Sequence, residues 1–168
     1  RIGRADLALL ATDGFFRDEL AQEVEMELGG QNVAAPVIIT RGTVSSPDGS
    51  VRVKNVQVLG VDERFWSLAP DPAKVPSPWG DGLFANQRLY KHLKVADGAR
   101  IILRVEEPGL FSRDAPLSGE RDNKFVSFNE KLLGVVPPAG FGSFGLQGNQ
   151  REPLTLFVPI HTLQKKMF

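Results

Sequence analysis

The segment that most constrains the fold is residues 51–66, VRVKNVQVLGVDERFW, the longest strand-like stretch of the chain. It is rich in valine, a β-branched residue that favours strands. Its apolar residues change phase, since Val51 and Val53 are followed by Val56 and Val58. Alternate side chains of a strand point to opposite faces, so a regular strand cannot place all four valines on one face. One extra residue between the two pairs would restore the phase, and we therefore predict a β-bulge.

The bulge is placed at residues 54–55, and the strand that contains it is expected to pair with the segment before it. The alternative is a strand buried on both faces after the bulge, because Leu59 and Val61 are apolar too. Residues 47–49, Pro-Asp-Gly, are typical of a turn, because proline sets φ and glycine tolerates positive φ. A β-hairpin is therefore predicted, with strands at residues 37–46 and 51–59.

Composition bounds both the size of the domain and its partners. The 168 residues fit one domain, and a hydrophobic fraction of 42% is enough for a core. Lysine plus arginine and aspartate plus glutamate both number 20, so the formal net charge is zero. Nucleic-acid-binding domains normally carry a basic excess, so no nucleic acid is expected as a partner. No polybasic segment favours a membrane surface either.

The chain has no cysteine, which excludes disulfides, thiol catalysis and cysteine-based zinc sites. No apolar run approaches the roughly 20 residues of a membrane-spanning helix, and the first residues show no signal-peptide pattern. The chain begins at Arg1 and ends without a helix-stop residue. We therefore expect a fragment of a longer protein.

The N-terminal part predicts a strand followed by a helix. Residues 5–11 are short and apolar, with an alternation that favours a first strand. A helix over residues 13–28 is predicted by apolar side chains at every fourth position, namely Phe16, Leu20, Val24 and Leu28. The glycine pair at 29–30 ends this helix, and its acidic side is interpreted as a solvated face.

The middle of the chain predicts a second helix and a further strand. Residues 83–93 form the predicted helix, with Asn86 as a candidate N-cap. Residues 100–105 alternate between apolar and basic side chains, which is typical of a half-buried strand. The resulting order is β-α-β-β-α-β, a split β-α-β arrangement of the α+β class. It predicts two helices on one face of a mainly antiparallel sheet.

An additional C-terminal strand region follows, within and after an elaborated loop region at residues 107–153. Residues 125–136 are strand-like with a break at Asn129–Glu130, and residues 154–160 form the last predicted strand. Proline has no backbone N–H, so Pro159 confines this strand to a sheet edge or ends it.

Patterns that could carry chemistry are weak. Residues 140–145 match G-x-G-x-x-G, but prolines precede the match and no helix is predicted after it, so a dinucleotide site is not expected. His92 and His161 are the only histidines and lie far apart in sequence, without a carboxylate at metal-ligand spacing. No serine lies in G-x-S-x-G. We therefore predict no catalytic, cofactor-binding or metal-binding residue.

Three aromatic residues are candidates for contact with a partner or cargo. Phe141 and Phe144 lie among four glycines in residues 139–150, and Trp79 lies in a proline-rich loop at residues 69–82. Glycine raises the entropy lost on ordering, so residues 139–150 are expected to be mobile unless something packs on them. Either both phenylalanine rings pack into the domain's own core, or at least one stays exposed and contacts a partner. Trp79 is either a partner anchor or a loop aromatic held against the domain.

The chain resembles the extracytoplasmic core domain of FtsX/MacB-type ABC-transporter permeases, because five short cues follow one another in the order typical of that family. Residues 85–89, ANQRL, are similar to the family's Asn-x-x-Leu-Ala helix start, although Tyr90 stands where the family usually has a small residue. The five cues are the early helix at 13–28, residues 56–62 followed by Phe65, residues 85–89 with Leu93, residues 95–98 before the strand at 100–105, and residues 156–160.

The resemblance implies a single extracytoplasmic domain over residues 1–168, on the periplasmic face of the inner membrane. The domain would have no enzymatic activity and no cofactor, since a separate cytoplasmic ABC ATPase hydrolyses ATP in this family. It would couple movement of the membrane helices to transport or to a periplasmic protein or cargo. A dimer is expected only in the full-length transporter.

Two other classes of function remain open from the residues. One is a ligand-binding extracytoplasmic sensor domain, with a pocket between the helices and the insertion at residues 108–150. The other is a hydrolase domain, which the missing catalytic motif disfavours.

Overall fold

The fold is built around a closed barrel of strands. A computed structural model of the chain describes residues 3–11, 15–17, 19–76, 80, 82–106, 125–146 and 151–167. The strands close in the order β1-β2-β6-β3-β5-β4. The pairs β2–β6 and β3–β5 are parallel, and the other neighbours are antiparallel. The strands are β1 Ile38–Ser45, β2 Arg52–Val61, β3 Leu83–Asn86, β4 Arg100–Glu106, β5 Phe125–Val136 and β6 Thr155–Pro159.

Short helices surround the barrel. They are α1 Leu20–Glu27, α2 Glu63–Ser67, α3 Gln87–Leu93 and α4 Ile160–Met167, with 3-10 turns at Pro72–Lys74 and Pro138–Gly140. Among the described residues, no helix has both the length and the apolar character needed to cross a membrane.

The closed barrel shows that the predicted fold class is wrong. The α+β prediction required an open, mainly antiparallel sheet with two helices on one face, in the order β-α-β-β-α-β. The first half of the predicted helix at 83–93 is instead the strand β3, which pairs with both β5 and β6. These pairings join segments that are distant in sequence, and they close the sheet on itself.

The hairpin and its bulge are confirmed. β1 and β2 pair antiparallel, with Gly42 opposite Val56 and Val44 opposite Val53. β2 therefore uses one residue more than β1 in this interval, at Lys54–Asn55. Asn55 has φ 56°, the left-handed conformation that asparagine tolerates better than most residues. The bulge lets valines on both of its sides face the barrel interior, as the change of phase predicts.

The barrel interior is filled by apolar side chains, as expected for a small barrel. Burial on both faces of β2 after the bulge is also confirmed, because Val58 lies in the interior and Leu59 packs in a second core outside. The fully buried interior positions include Val44, Val56, Val58, Leu83, Ala85, Ile101, Leu103, Val105, Leu132, Leu156 and Val158.

The two ends of the barrel are closed by different helices. α3 follows β3 and contributes Leu89 and Leu93 to the interior core, whereas α4 follows β6 and contributes Leu163 and Met167. Because β3 and β6 are antiparallel, the two helices lie at opposite ends. Gly60 allows the approach of α4, since a Cβ there would lie 2.6 Å from Cδ1 of Leu163.

The second core lies on the outside of β2, β6 and β3 and is rich in aromatic rings. We call it the outer core. It is covered by α2 and by residues 137–146, which connect β5 towards β6. Its buried members are Leu59, Val61, Phe65, Trp66, Ala69, Phe84, Val136, Phe141, Phe144 and Phe157.

The N-terminal predictions are largely wrong. Residues 5–11 form no strand, and α1 begins at Leu20 rather than at residue 13. None of the residues of α1 is fully buried, and of the apolar stripe that predicted a longer helix Leu20 and Val24 are half-buried whereas Phe16 and Leu28 are exposed. The end of the helix is confirmed, because Gly29 and Gly30 both have positive φ.

The C-terminal strands are more regular than predicted. β5 continues through Asn129 and Glu130, which pair with residues of β4, so the predicted break is wrong. β6 ends at Pro159, as one alternative predicts, but it lies between β2 and β3 rather than at an edge. The helix α4 after it is absent from the prediction.

Candidate interaction surfaces

The phenylalanine candidates lie in the outer core. Phe141 is 3% exposed and Phe144 is 6% exposed, so the expectation that at least one ring is exposed is wrong. The ring of Phe65 stacks on Phe141 at a centroid distance of 4.6 Å and meets the edge of Phe144 at 5.0 Å. The alternative in which both rings join the domain's own core therefore holds. Trp79 lies outside the described residues.

Hydrogen bonds hold residues 137–146 on the barrel. The backbone N–H of Asp71 donates to the carbonyl oxygen of Ala139 at 3.0 Å. Nε2 of Gln57 donates to the carbonyl oxygen of Phe144 at 3.2 Å. Phe141 has φ 83°, a conformation that costs free energy for an aromatic residue and that packing of its ring offsets. The segment is thus a packed cover of the outer core.

Asn86 links three parts of the structure through its buried side chain. Its Oδ1 accepts from the backbone N–H of Leu89 at 2.9 Å, which confirms the predicted N-cap, and from that of Thr155 at 3.1 Å. Its Nδ2 donates to the carbonyl oxygens of Gly142 at 3.0 Å and Pro153 at 2.8 Å. The sequence carries a signal for the cap but none for the other three bonds, because their partners are distant in sequence.

The chemical patterns do not assemble into a reactive site in the described part of the chain. The G-x-G-x-x-G match runs from the end of a 3-10 turn into a further turn, and Leu146, the described residue that follows it, is not helical. His92 and His161 are both exposed, and Nδ1 of His92 lies 2.8 Å from the carbonyl oxygen of Arg88. Within the described ranges, no three His, Asp or Glu side chains are grouped for a metal ion.

The surface depressions of the described structure include the following two. The larger, of about 300 Å³, lies between the β1–β2 turn and the end of α3. Its carboxylate, Asp48, accepts hydrogen bonds from the hydroxyls of Ser46 at 2.5 Å and Ser50 at 2.8 Å. These bonds lower the pKa of Asp48 below its ordinary value. The smaller depression, of about 220 Å³, lies beside Glu130 and Thr162.

The pocket expected for a sensor domain does not form along residues 137–146, because that part of the insertion packs directly on the outer core. Residues 108–124 of the insertion lie outside the described residues.

Large exposed apolar side chains occur in two places among the described residues. The first is the N-terminal arm, which we define as the described residues between 3 and 34. The second is the outward side of the barrel, on β1 and β5. The arm exposes Leu7, Leu9, Leu10, Phe15, Phe16, Met26, Leu28 and Val33, and the barrel exposes Ile39, Phe125 and Leu133.

The outward side of β1, β4 and β5, with the first residues of β2, is basic. We call it the basic sheet face. Its one acidic side chain in the described strands is Glu106. None of its basic residues forms an ion pair with another described residue. These exposed residues are Arg41, Arg52, Lys54, Arg100, Arg104 and Lys131.

The chain matches no protein-family model, and a search of curated proteins gives no significant sequence match. The resemblance to permease domains is therefore carried by the residues of this chain alone.

Proposed function

We propose that this chain is a non-enzymatic extracytoplasmic domain of an FtsX/MacB-like ABC-transporter permease. In this proposal it lies on the periplasmic face of the inner membrane. It couples movement of the membrane helices to transport, or to a partner outside the membrane. ATP hydrolysis takes place on a separate cytoplasmic ATPase.

The order of the sequence cues supports the permease assignment, although the first of them, the early helix at 13–28, is shorter than that cue requires. Two of them coincide with central parts of the fold: residues 56–62 cover the buried half of β2, and residues 156–160 cover most of β6. Phe65, which follows the first of these cues, lies in the outer core. The split β-α-β sheet is no part of the proposal, because the chain forms a barrel.

The placement of the apolar groups supports a contact function. The barrel interior and the outer core are filled by the chain's own side chains, whereas other apolar residues are exposed on the arm and on the outward side of the barrel. Binding sites for small molecules are usually concave, whereas exposed apolar patches usually mark contacts with proteins or membranes. This contrast is the observation that favours a domain that acts through its outer surface.

The experiment uses the full-length gene product. Alkaline phosphatase, which is active only outside the cytoplasm, is inserted in the turn at residues 47–49. We expect phosphatase activity from this fusion. A matched fusion with green fluorescent protein, which folds only in the cytoplasm, should show no fluorescence. In a second experiment, the full-length protein with nothing inserted in this domain is purified from membranes. We expect an ABC ATPase to copurify with it and to be identified by mass spectrometry. A fluorescent fusion, or a purified complex without such an ATPase, would contradict the proposal.

The absence of enzymatic activity is tested separately on the isolated domain. The sequence has no phosphate-binding loop, so calorimetric titration with ATP is expected to show no binding. The purified full-length complex serves as the positive control, because it contains the ATPase. Micromolar affinity of the isolated domain for ATP would overturn this part of the proposal.

A further inference from the structure

We propose that the N-terminal arm of one copy of this chain docks on the basic sheet face of a second copy. The proposal does not depend on the permease assignment. It extends to the domain itself the dimer that the resemblance implies only for the full-length transporter.

The arm has the properties of a segment that is only partly packed. α1 has eight residues, no side-chain cap at its N-terminus and no buried residue. Helices of this length are unstable in water unless an apolar face packs on something. Leu7 is 90% exposed and Met26 is 75% exposed, values that a surface laid over the arm would lower.

The charges of the arm and of the basic sheet face are complementary. The charged residues of α1 are all acidic, namely Glu23, Glu25 and Glu27, and Glu19 precedes them. Glu23 pairs with Arg17 of the same arm at 3.2 Å, so the other carboxylates carry the net negative charge. On the face, Arg100 lies directly opposite Lys131 in the β4–β5 pair. Like charges in this position destabilise a sheet, and a carboxylate placed between them would remove the repulsion. The face therefore suits an acidic, partly apolar segment.

The arm and the basic sheet face are complementary in their apolar groups as well as in their charges. Ile39, Phe125 and Leu133 are exposed on the outward side of the barrel, so the face combines basic and apolar side chains as the arm combines acidic and apolar ones. A contact between the two would bury the exposed large apolar groups of both surfaces and pair their charges in one step.

A second copy is the partner that fits these observations. The arm is tied to its own barrel near both ends, where the N–H of Arg4 donates to the carbonyl oxygen of Leu68 and Ala35 packs on the outer core. Between these points most of its large apolar side chains are exposed, although Leu20 and Val24 are half-buried, so its own basic sheet face does not cover the exposed ones. The formal net charge of zero removes repulsion between copies. Reciprocal exchange of arms would make two identical contacts and close the dimer.

The first test measures the mass of the purified 168-residue chain by light scattering and sedimentation. We expect a dimer at low salt that dissociates at high salt, because exposed charge pairs are screened. Two charge-reversed variants change one surface each: E19K/E27K on the arm, where neither glutamate forms an ion pair with another described residue, and R100E/K131E on the face. Each is expected to raise the dissociation constant by about tenfold or more. K165E/K166E on α4 is the matched control and should leave the constant unchanged.

Mixing the two charge-reversed chains provides the decisive result. Within each variant, the arm and the face carry charges of the same sign and repel each other. Between the two variants, the basic arm meets the acidic face and the acidic arm meets the basic face. We expect the mixture to form a heterodimer that neither variant forms as a homodimer. A mixture that stays monomeric, with circular dichroism showing both chains folded, would overturn the proposal.

A cross-linking test is independent of charge. The chain has no cysteine, so Met26→Cys in one chain and Ser127→Cys in another give one thiol each. A short bismaleimide should join the two chains, and should not join Met26→Cys to His161→Cys. A monomer in which hydrogen exchange shows a protected arm would mean that the arm covers its own face, and would overturn the assignment to a second copy.

Discussion

Asn86 shows how much one buried amide can organise. An asparagine side chain offers two donors and two acceptor positions, and Asn86 uses all of them within the described structure. Its bonds join the start of α3, the start of β6 and the cover of the outer core. A residue predicted only as a helix cap is therefore also a link between segments that are distant in sequence.

Replacing this amide by a carboxylate tests the link. Asn86→Asp keeps the acceptors but loses both donors, and it places a carboxylate against the carbonyl oxygens of Gly142 and Pro153. We expect urea denaturation to show a loss of about 2 kcal/mol or more. Burial raises the pKa of the new carboxyl, so the variant should lose further stability as the pH rises above the unfolded value. Asn129→Asp, at an exposed position of β5, is the control, and an equal loss there would refute this account.

Asp48 predicts a pH dependence of opposite sign. Hydrogen bonds from Ser46, then from Ser50, hold its folded pKa below the ordinary value. Its contribution to stability is therefore present above the unfolded pKa and is lost as the pH falls through the folded pKa. NMR titration should show the lowered pKa in the parent chain and a higher one in Ser46→Ala. An unchanged pKa in that variant would mean that the hydroxyl bond is not the cause.

The bulge at Asn55 is a feature that could be predicted from the local sequence. The valine phases require one extra residue in β2, and a bulge in the left-handed conformation favours asparagine or glycine. Both facts are local, so the bulge could be predicted. The triple role of Asn86 could not, because Gly142, Pro153 and Thr155 reach it only after the barrel closes.

At the scale of elements, the segment 137–146 behaves as part of the core. The sequence left two outcomes open, since glycine favours disorder and phenylalanine favours burial. The structure resolves them by packing Phe141 and Phe144 beside Phe65, with backbone groups bonded to Asp71 and Gln57. Burial of the rings therefore outweighs the entropy of the glycines.

Removing one ring measures this contribution. Phe144→Ala should lower the free energy of unfolding by about 3–5 kcal/mol, because it leaves a cavity beside Phe65. Phe125→Ala is the matched control, since that ring is 60% exposed and should cost little in the monomer. Similar melting temperatures for the two variants would show that the cover does not stabilise the outer core.

β3 explains why the fold class could not be read from the sequence. It has four residues, LFAN, and all four are buried, so no alternation distinguishes it from the first turn of a helix. The apolar pattern of residues 13–28 led to the opposite error, because it predicted a longer helix than the structure has. It has helical spacing, but among its described residues only Leu20–Glu27 is helical, and no residue of that helix is fully buried. Periodicity predicts which faces are apolar, and tertiary contacts decide what covers them.

At the scale of the whole molecule, the barrel depends on pairings between distant segments. β6 lies between β2 and β3, and it contributes Leu156 and Val158 to the interior and Phe157 to the outer core. No local pattern signals a parallel pair between β2 and β6. This is the physical reason that hairpin and helix cap were predictable whereas the closed topology was not.

Deleting residues 153–168 should therefore abolish folding rather than weaken it. The deletion removes β6 and α4, so β2 and β3 lose a partner and one end of the barrel loses its cover. We expect no near-ultraviolet circular dichroism signal and no cooperative thermal transition. The comparison is a chain that lacks residues 1–11, most of whose described side chains are exposed. Cooperative melting of the C-terminal deletion would show that the barrel is not the folding unit.

The position of β6 in the sequence also determines when the barrel can close during synthesis. A polypeptide appears at the ribosome, or at the far side of a translocation channel, with its N-terminus first. β2 and β3 emerge long before Thr155–Pro159. The backbone N–H and C=O groups on the edges that pair with β6 therefore have no strand partner until β6 emerges. The barrel thus stays open until Thr155–Pro159 has emerged, and until then its unpaired strand edges are exposed to chaperones and proteases.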